Sequence, residues 1–344
     1  MKNYSTDKRV IIGIIIGFVL TIFGGVMFIF VSGSPNREIE AQGALLTTTE
    51  VQEVEEQILS QTYIDAVWFQ DNPYLFNREL HNILFIGVDS RGEIEEGADS
   101  DFAGQADAIM LITLNSNSGT AQMIQISRDT IAQVDVIGES GEVISSLDTQ
   151  IALQHSYGGG GRSSAFAMRR SIQRLLYGLP IHGYIVMYMD AIHTLNDEIG
   201  GVTITFSEDY SFIDSAFTEG ETVTLDGIQA ERFVQYRDMS DRYGNENRMQ
   251  RQSIYLLALF QALREFANDT LESYAELYEI LQPFMLTDLR VDVISNFISY
   301  DYDGENVSFL PGVMARGGRY AEFHVDMEEL EEMIINTFYL PMER

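Results

Sequence analysis

A run of 22 residues without a single charge, VIIGIIIGFVLTIFGGVMFIFV at positions 10–31, constrains this chain more than any other feature. At about 1.5 Å rise per residue, a helix of that length crosses a hydrocarbon core roughly 30 Å thick, so the run reads as one transmembrane helix. It exceeds the apolar core of about 7–15 residues found in secretory signals, and only Val31-Ser32-Gly33-Ser34 offers a small-residue stretch behind it, so an uncleaved anchor is expected. Lys2, Lys8 and Arg9 precede the run, whereas Arg37, Glu38 and Glu40 follow it. The positive-inside rule then keeps residues 1–9 as a cytoplasmic tail and sends the rest outward: a single-pass cell-membrane protein with an extracellular C-terminal domain.

The residues beyond the anchor have to fold in water, and 45% apolar residues in 344 are enough for that. The absence of cysteine excludes disulfides, thiolate metal sites and cysteine nucleophiles. A formal net charge of -31 argues against nucleic acid as a partner, because affinity for a phosphate backbone needs a basic footprint. Every cation after the anchor is an arginine. Residues 32–79 are acid-rich and read as a stalk with an accessory helix: a flexible spacer over 32–49, then a helix over 50–69. The body is expected over 80–344, with a core at 81–270 and a C-terminal extension at 271–344.

The body opens with Asn82-Ile83-Leu84-Phe85-Ile86-Gly87-Val88-Asp89, a nearly continuous apolar run of the kind that forms a strand buried on both faces. Further strands are expected at 108–114, 121–126, 183–189 and 201–206. Helical periodicity marks 163–177, 228–237, 247–266 and 271–281. Residues 290–339 read as a helix, a strand pair formed by 307–310 with 322–325, and a closing helix from 327. The pattern predicts an α/β protein, an αβα sandwich in which helices flank a central mixed β-sheet, preceded by the transmembrane helix.

Four constellations could carry chemistry. Asp89-Ser90-Arg91 stands where the first buried strand ends, the side of an α/β sheet on which ligands bind. Asp107 directly precedes the second strand. With oxygen donors only, two such aspartates suit a hard cation, Mg²⁺ or Mn²⁺, although aspartates at strand ends also cap turns. Ile126-Ser127-Arg128-Asp129-Thr130 ends the third strand, as part of a site or as a local ion pair. The glycines at 158–161, before a helix start, could approach an anion with backbone N–H groups or simply form a loop. Densest of all, Arg232, Arg237, Arg242, Arg248, Arg251 and Gln252 crowd one stretch, with Arg248 and Gln252 sharing a helix face. Guanidinium groups bind phosphate oxygens bidentately and stay charged, so several converging on one pocket would suit a pyrophosphate; arginines on a helix also serve solubility. No Gly-x-Ser-x-Gly elbow is present, which leaves serine-hydrolase chemistry without support.

In this order the motifs resemble the LytR-CpsA-Psr family of cell-wall glycopolymer transferases. The resemblance rests on Phe85-Ile86-Gly87-Val88-Asp89-Ser90-Arg91, Ala106-Asp107-Ala108-Ile109-Met110-Leu111, Ser127-Arg128-Asp129-Thr130, Tyr157-Gly158-Gly159 and Ile199-Gly200-Gly201-Val202. It continues through Asp226-Gly227, Tyr236-Arg237-Asp238 and Asn247-Arg248-Met249-Gln250-Arg251-Gln252. It covers roughly 81–253, and an N-terminal anchor is usual in the family. It implies a polyprenyl-pyrophosphate-linked glycan in an apolar channel, a peptidoglycan acceptor, Asp89 and Asp107 on Mg²⁺ (or Mn²⁺), and Arg128, Arg237, Arg248 and Gln252 on the pyrophosphate. Arg91 would support the same site. Arg128 and Arg237 would be catalytic, with Asp129 among the candidates for general base. One position departs: the family often has an arginine two residues before Arg237, and here Gln235 stands there, with Arg242 or Arg162 as possible substitutes. The activity implied is transfer of a phosphoglycan, such as a teichoic acid or capsule-like polymer, to peptidoglycan. A lipid-pyrophosphate sensing module and a lipid pyrophosphatase stay open beside it.

Overall fold

The computed structural model describes residues 66–95, 103–238, 240–241, 244–267, 270–317 and 320–342. The expected anchor at 10–31 and most of the segment 32–79 lie outside the described residues, among which no helix is long and apolar enough to cross a membrane.

The chain enters through β1 (Val67–Phe69) and β2 (Asn72–Phe76), then β3 (Leu80–Val88), β4 (Ala106–Asn115) and β5 (Thr120–Gln125). A hairpin of β6 (Ile131–Ile137) and β7 (Val143–Gln150) leads to α1 (Leu153–Ser156), α2 (Gly161–Leu175), β8 (Gly183–Tyr188) and α3 (Met189–Glu198). Next come β9 (Val202–Thr205), β10 (Thr222–Leu225), α4 (Gly227–Gln235), α5 (Gly244–Ala267) and α6 (Leu271–Leu281). The chain ends with β11 (Met285–Thr287), α7 (Val291–Ser299), β12 (Asp301–Phe309), β13 (Gly312–Gly317), β14 (Tyr320–Val325), α8 (Met327–Phe338) and β15 (Tyr339–Pro341).

Six strands form one mixed sheet in the order β11-β8-β3-β4-β5-β12, with β3 parallel to β8, β12 parallel to β5 and the other neighbours antiparallel. Strand periodicity sorts its side chains into two cores. Met110, Ile112 and Leu114 of β4 pack with Leu195, Phe233, Leu256 and Phe260 from α3, α4 and α5, whereas Ile109 and Leu111 pack with Met168 and Ile172 of α2 and Leu330 and Ile334 of α8. Burial on both faces explains why β3 and β4 read as continuous apolar runs. Each fully buried aliphatic side chain stabilises by about 1.5–3 kcal/mol, so helices close both faces. Asp226 starts α4 with a capping box: its carboxylate accepts the Gln229 N–H at 2.8 Å, while the Gln229 side chain accepts the Asp226 N–H at 3.2 Å.

Three expectations differ from the structure. Residues 307–310 and 322–325 do not pair with each other: β12 extends the central sheet beside β5, and β14 pairs with β13. The register of β12 puts Val307, Ser308 and Phe309 opposite Met123, Ile124 and Gln125, so the sheet edge outcompetes a local hairpin for them. Val67–Phe69, the end of the expected helix over 50–69, is a strand held by β2. The strand read at 201–206 forms, as β9, but pairs only with β10 and stays out of the main sheet.

Candidate functional site

The carboxyl end of β3, the start of β4 and α5 meet around one cavity. Its mouth carries Asp89, Asp107, Arg248 and Gln252, and its deeper wall is apolar, with Met187, Leu195 and Leu256 among the lining residues. A second, almost wholly apolar cavity shares Phe85, Met187, Leu195, Leu256 and Leu259 with the first and continues toward Leu277 of α6 and Phe297 of α7. Both are narrow, about 90 and 80 Å³. Together they run between the sheet and the helices from a charged mouth into a greasy interior.

Asp107 organises the mouth. Its carboxylate is bound by the Arg128 guanidinium on one side and accepts from Arg248 Nη1 at 2.7 Å on the other. Arg128 leaves the end of β5 and also donates to the Gln105 side chain, while the Gln105 N–H donates to Asp89 Oδ1 at 2.6 Å. Asp89, Gln105, Arg128, Asp107 and Arg248 therefore form one connected network. It requires close approach of the preceding loop: Gly104 has φ +71°, and a Cβ there would lie 3.0 Å from Asp89 Oδ1 and 2.1 Å from Ser90 Oγ. His155 supports the same loop, its Nδ1 3.2 Å from the Gly104 carbonyl, and burial lowers its pKa so that the ring stays neutral.

The electrostatics of the mouth are those of crowded cations. Burial, then repulsion from Arg237, brings the Arg248 pKa down to about 10, and burial with repulsion from Arg248 lowers that of Arg128. Both remain charged near neutrality. The buried Nε of Arg128, the Nε of Arg248 and Oε1 of Gln252 have no hydrogen-bond partner. Orphaned buried polar atoms are rare, and the two on Arg248 and Gln252, which line the cavity, mark a place that can receive a polar group.

Arg128, Arg248, Gln252, Asp89 and Asp107 are brought together, and Arg237, at the exit of α4, is near enough to bear on the pKa of both Arg128 and Arg248. Asp129 is set back behind Arg128: it is 2% exposed, lies 3.9 Å from Arg128 Nε and accepts from the Gln150 side chain at 2.8 Å. Its burial raises the carboxyl pKa. Arg91 turns elsewhere, its exposed guanidinium bridging Asp190 at 2.9 Å and the buried Glu231. Arg251 is a buttress, its guanidinium donating to the carbonyls of Phe233 and Tyr236 and so fixing the end of α4. Arg232 is exposed near Asp214, and Arg242 lies outside the described residues. Gln235 lines the cavity, so an arginine at that position would face the same mouth. Exposed Arg162 sits in the first turn of α2. The glycine run folds as a packed turn: the Gly160 N–H donates to Ser164 Oγ at 2.9 Å, and a Cβ on Gly158 would collide with the Ser164 Cα at 2.4 Å.

Sequence reasoning misses Gln105 and Asn245. Asn245 accepts from Arg248 Nη2 at 2.8 Å and donates to Ser127 Oγ at 3.1 Å, tying α5 to the end of β5. Its one signal in the sequence is its position three residues before Arg248 on one helix. Asp89 and Asp107 bring carboxylate oxygens, the donors a hard divalent cation takes, to one mouth, where both oxygens of Asp107 are held by Arg128 and Arg248. Among the described residues no group of three or more metal-ligating side chains occurs.

The model of the LytR_cpsA_psr family matches residues 43–333. The polyisoprenyl-teichoic acid--peptidoglycan teichoic acid transferase TagU of Oceanobacillus iheyensis is 29% identical over 220 residues, 63% of this chain and 62% of that protein. The protein of the same name from Bacillus subtilis is 25% identical over 223 residues, 65% of this chain and 64% of that protein. The matches thus span less than two thirds of these relatives. Among solved structures, B. subtilis TagU superposes with a TM-score of 0.55 at 17% identity, covering 75% of this chain and 95% of that one. A structure of TagT bound to LI-WTA superposes with a TM-score of 0.55 at 19% identity, covering 75% of this chain and 90% of that one. These structural likenesses show the fold.

Proposed function

The chain belongs to the LytR_cpsA_psr family, and from that membership we propose that it transfers a phosphoglycan from a polyprenyl-pyrophosphate carrier to a hydroxyl of peptidoglycan at the outer face of the membrane. The observation that carries this reading is the junction of a buried arginine–aspartate network with an apolar passage at one mouth. A pyrophosphate joined to a hydrocarbon chain needs both halves side by side. The passage is narrow, so seating a chain requires its leucine and methionine walls on α5 and β8 to change rotamer, which flexible methionine side chains such as Met187 do at low cost.

In this reading Arg128, Arg237 and Arg248 hold the pyrophosphate, with the orphaned Nε of Arg248 donating to its oxygens and Gln252 alongside. Asp129 holds Arg128 in place from behind, which makes it a positioning residue and leaves the base role without a committed side chain. The acceptor hydroxyl oxygen attacks the phosphorus that bears the glycan. That P–O bond forms as the bond to the bridging oxygen breaks; polyprenyl phosphate leaves, and the hydroxyl proton passes to water at the open mouth. Asp89 and Asp107 would hold Mg²⁺ or Mn²⁺, which would neutralise phosphate charge. Transfer of this kind depends on positioning and charge stabilisation, and the buried guanidinium groups provide both.

The test is the full chain in detergent, incubated with a labelled lipid-linked glycan and peptidoglycan. The expected outcome is label in the wall polymer, lost in Arg128→Ala. Label released without any acceptor would make the protein a lipid pyrophosphatase. Lipid bound without product would make it a sensing module, the reading that Gln235 in the cavity wall favours.

A further inference from the structure

On the far side of the Arg237 segment lies a cavity that the proposed chemistry does not use. Its volume is about 370 Å³, within the range of 300–1,000 Å³ usual for small-molecule sites. Phe212 and Tyr236 form its apolar platform, with ring centroids 5.2 Å apart and exposures of 57% and 37%. Polar groups ring the platform: the exposed amides of Asn247 and Gln250 on α5, and the carboxylates of Asp209 and Asp238. Tyr236 is held in place, since its carbonyl accepts from Arg251 and the Arg251 guanidinium lies 5.7 Å from its ring centroid.

Exposed aromatic rings bordered by amides and carboxylates are what a pyranose requires. The C–H edges of a sugar ring carry partial positive charge and pack on the negative face of an aromatic ring, while its hydroxyls donate to carboxylates and exchange hydrogen bonds with amides. The cavity also adjoins the phosphate site. Tyr236 and Asp238 flank Arg237 in sequence, and a Cβ on Gly244, which lines the cavity, would stand 3.5 Å from Arg237 Cγ.

Charge separates the two glycans that could lie here. Glu208, Asp209, Asp238 and Asp241 line the cavity against one arginine, Arg251, whose guanidinium donates to the Phe233 and Tyr236 carbonyls, so the net negative lining disfavours an anionic phosphoglycan relative to an uncharged saccharide. Resting on the transferase reading, we infer that this shelf binds the acceptor: a neutral N-acetylhexosamine chain laid across Phe212 and Tyr236, its hydroxyl delivered past Arg237 to the phosphorus.

The probe is a neutral β-1,4-linked N-acetylglucosamine tetrasaccharide, with binding to the full chain in detergent read by saturation-transfer NMR. The tetrasaccharide should bind the wild type, at least tenfold more weakly to Phe212→Ala, and again to Phe212→Trp, which restores the platform. In the transfer assay Phe212→Ala should raise the KM for acceptor about tenfold while affinity for the lipid-linked donor stays as in the wild type. No binding by the wild type, or Phe212→Ala and Gln250→Ala both binding as the wild type does, overturns the shelf. Tighter binding of an oligomeric glycerol phosphate than of the neutral tetrasaccharide, lost in Phe212→Ala, overturns the acceptor assignment in favour of the donor. If no transfer occurs but tetrasaccharide binding still depends on Phe212, the transferase reading fails and the saccharide shelf stands. If transfer depends on Arg128 and acceptor KM ignores Phe212, the reverse holds.

Discussion

Two clusters in this molecule each join one aspartate to two arginines, and they are built inside out relative to one another. Around Asp135 the carboxylate is the buried partner, 3% exposed, and Arg170 and Arg174 are 49% and 35% exposed. Around Asp107 the carboxylate is 21% exposed, and Arg128 and Arg248 are 14% and 5% exposed. The first cluster is closed. Asp135 accepts from Ser146 Oγ at 2.7 Å, from Arg174 at 2.7 and 3.1 Å and from Arg170 at 2.9 Å. Burial pushes its pKa up, but the hydrogen bonds from Arg174 and Ser146 outweigh that and hold it below the ordinary value. The second is open: burial lowers the pKa of the guanidinium groups, and their Nε atoms lack hydrogen-bond partners. A buried anion with solvated cations pins β6 to α2, whereas buried cations at a cavity await another anion.

The contrast breaks most readily at Arg128. Arg128→Ala should lower transfer by about 10²–10³-fold, as removal of one preorganised donor does, with unfolding free energy within about 1 kcal/mol of wild type because a repelling cation is removed. Loss of stability with retained specific activity would reverse the roles of the two clusters. Asp135→Ala should do the opposite, costing about 2 kcal/mol in denaturant unfolding, since its half-exposed arginines rehydrate but Ser146 and the hairpin lose their anchor; transfer per folded molecule should hold.

Asp89→Ala should shift the midpoint of Mg²⁺ activation about tenfold upward, and an unmoved metal titration would remove Asp89 from the mouth's chemistry. Acid behaviour sharpens the contrast further. Because the folded Asp135 carboxyl titrates below its unfolded value of about 3.9, its stabilisation is complete above that pH and is lost as pH falls through the folded value. Asp135→Asn should therefore flatten that part of the acid limb in a pH series of unfolding curves. The smallest effect is expected at Arg91, itself exposed, whose buried partner Glu231 keeps His193: Arg91→Ala should change transfer and stability by less than about 1 kcal/mol each, measured by the same two assays.

Much of this is legible in the residues themselves. The continuous apolar runs of β3 and β4 announce strands buried on both faces, and Asp89, Asp107 and Arg128 stand at strand ends, where an α/β sheet binds its ligands. Helical spacing places Arg248 and Gln252 on one face and turns Arg251 away, and Arg251 is the buttress. The β6–β7 hairpin is not legible, because β7 is largely exposed and carries Ser145, Ser146 and Asp148 among its apolar residues, so its pattern is that of a loop. The pairing of β12 with β5 escapes sequence reasoning for a different reason: local strand propensity says that a segment extends, not which edge it joins.

By itself, then, the sequence determined the residue types and their order along the chain: carboxylates and arginines at the ends of apolar strands, on a body with too few cations for nucleic acid. Periodicity and charge are local properties, so they survive the loss of three-dimensional context. Only the tertiary structure decided which charges face one another. It bound Arg128 and Arg248 directly to Asp107 and braced them on Gln105 and Asn245, drew Arg91 aside to Asp190 and Glu231, set Asp129 behind its neighbour, and opened an aromatic shelf beside Arg237. Those outcomes depend on burial and on competition for partners between segments more than a hundred residues apart, such as Asp107 and Arg248, and no spacing along the chain encodes them.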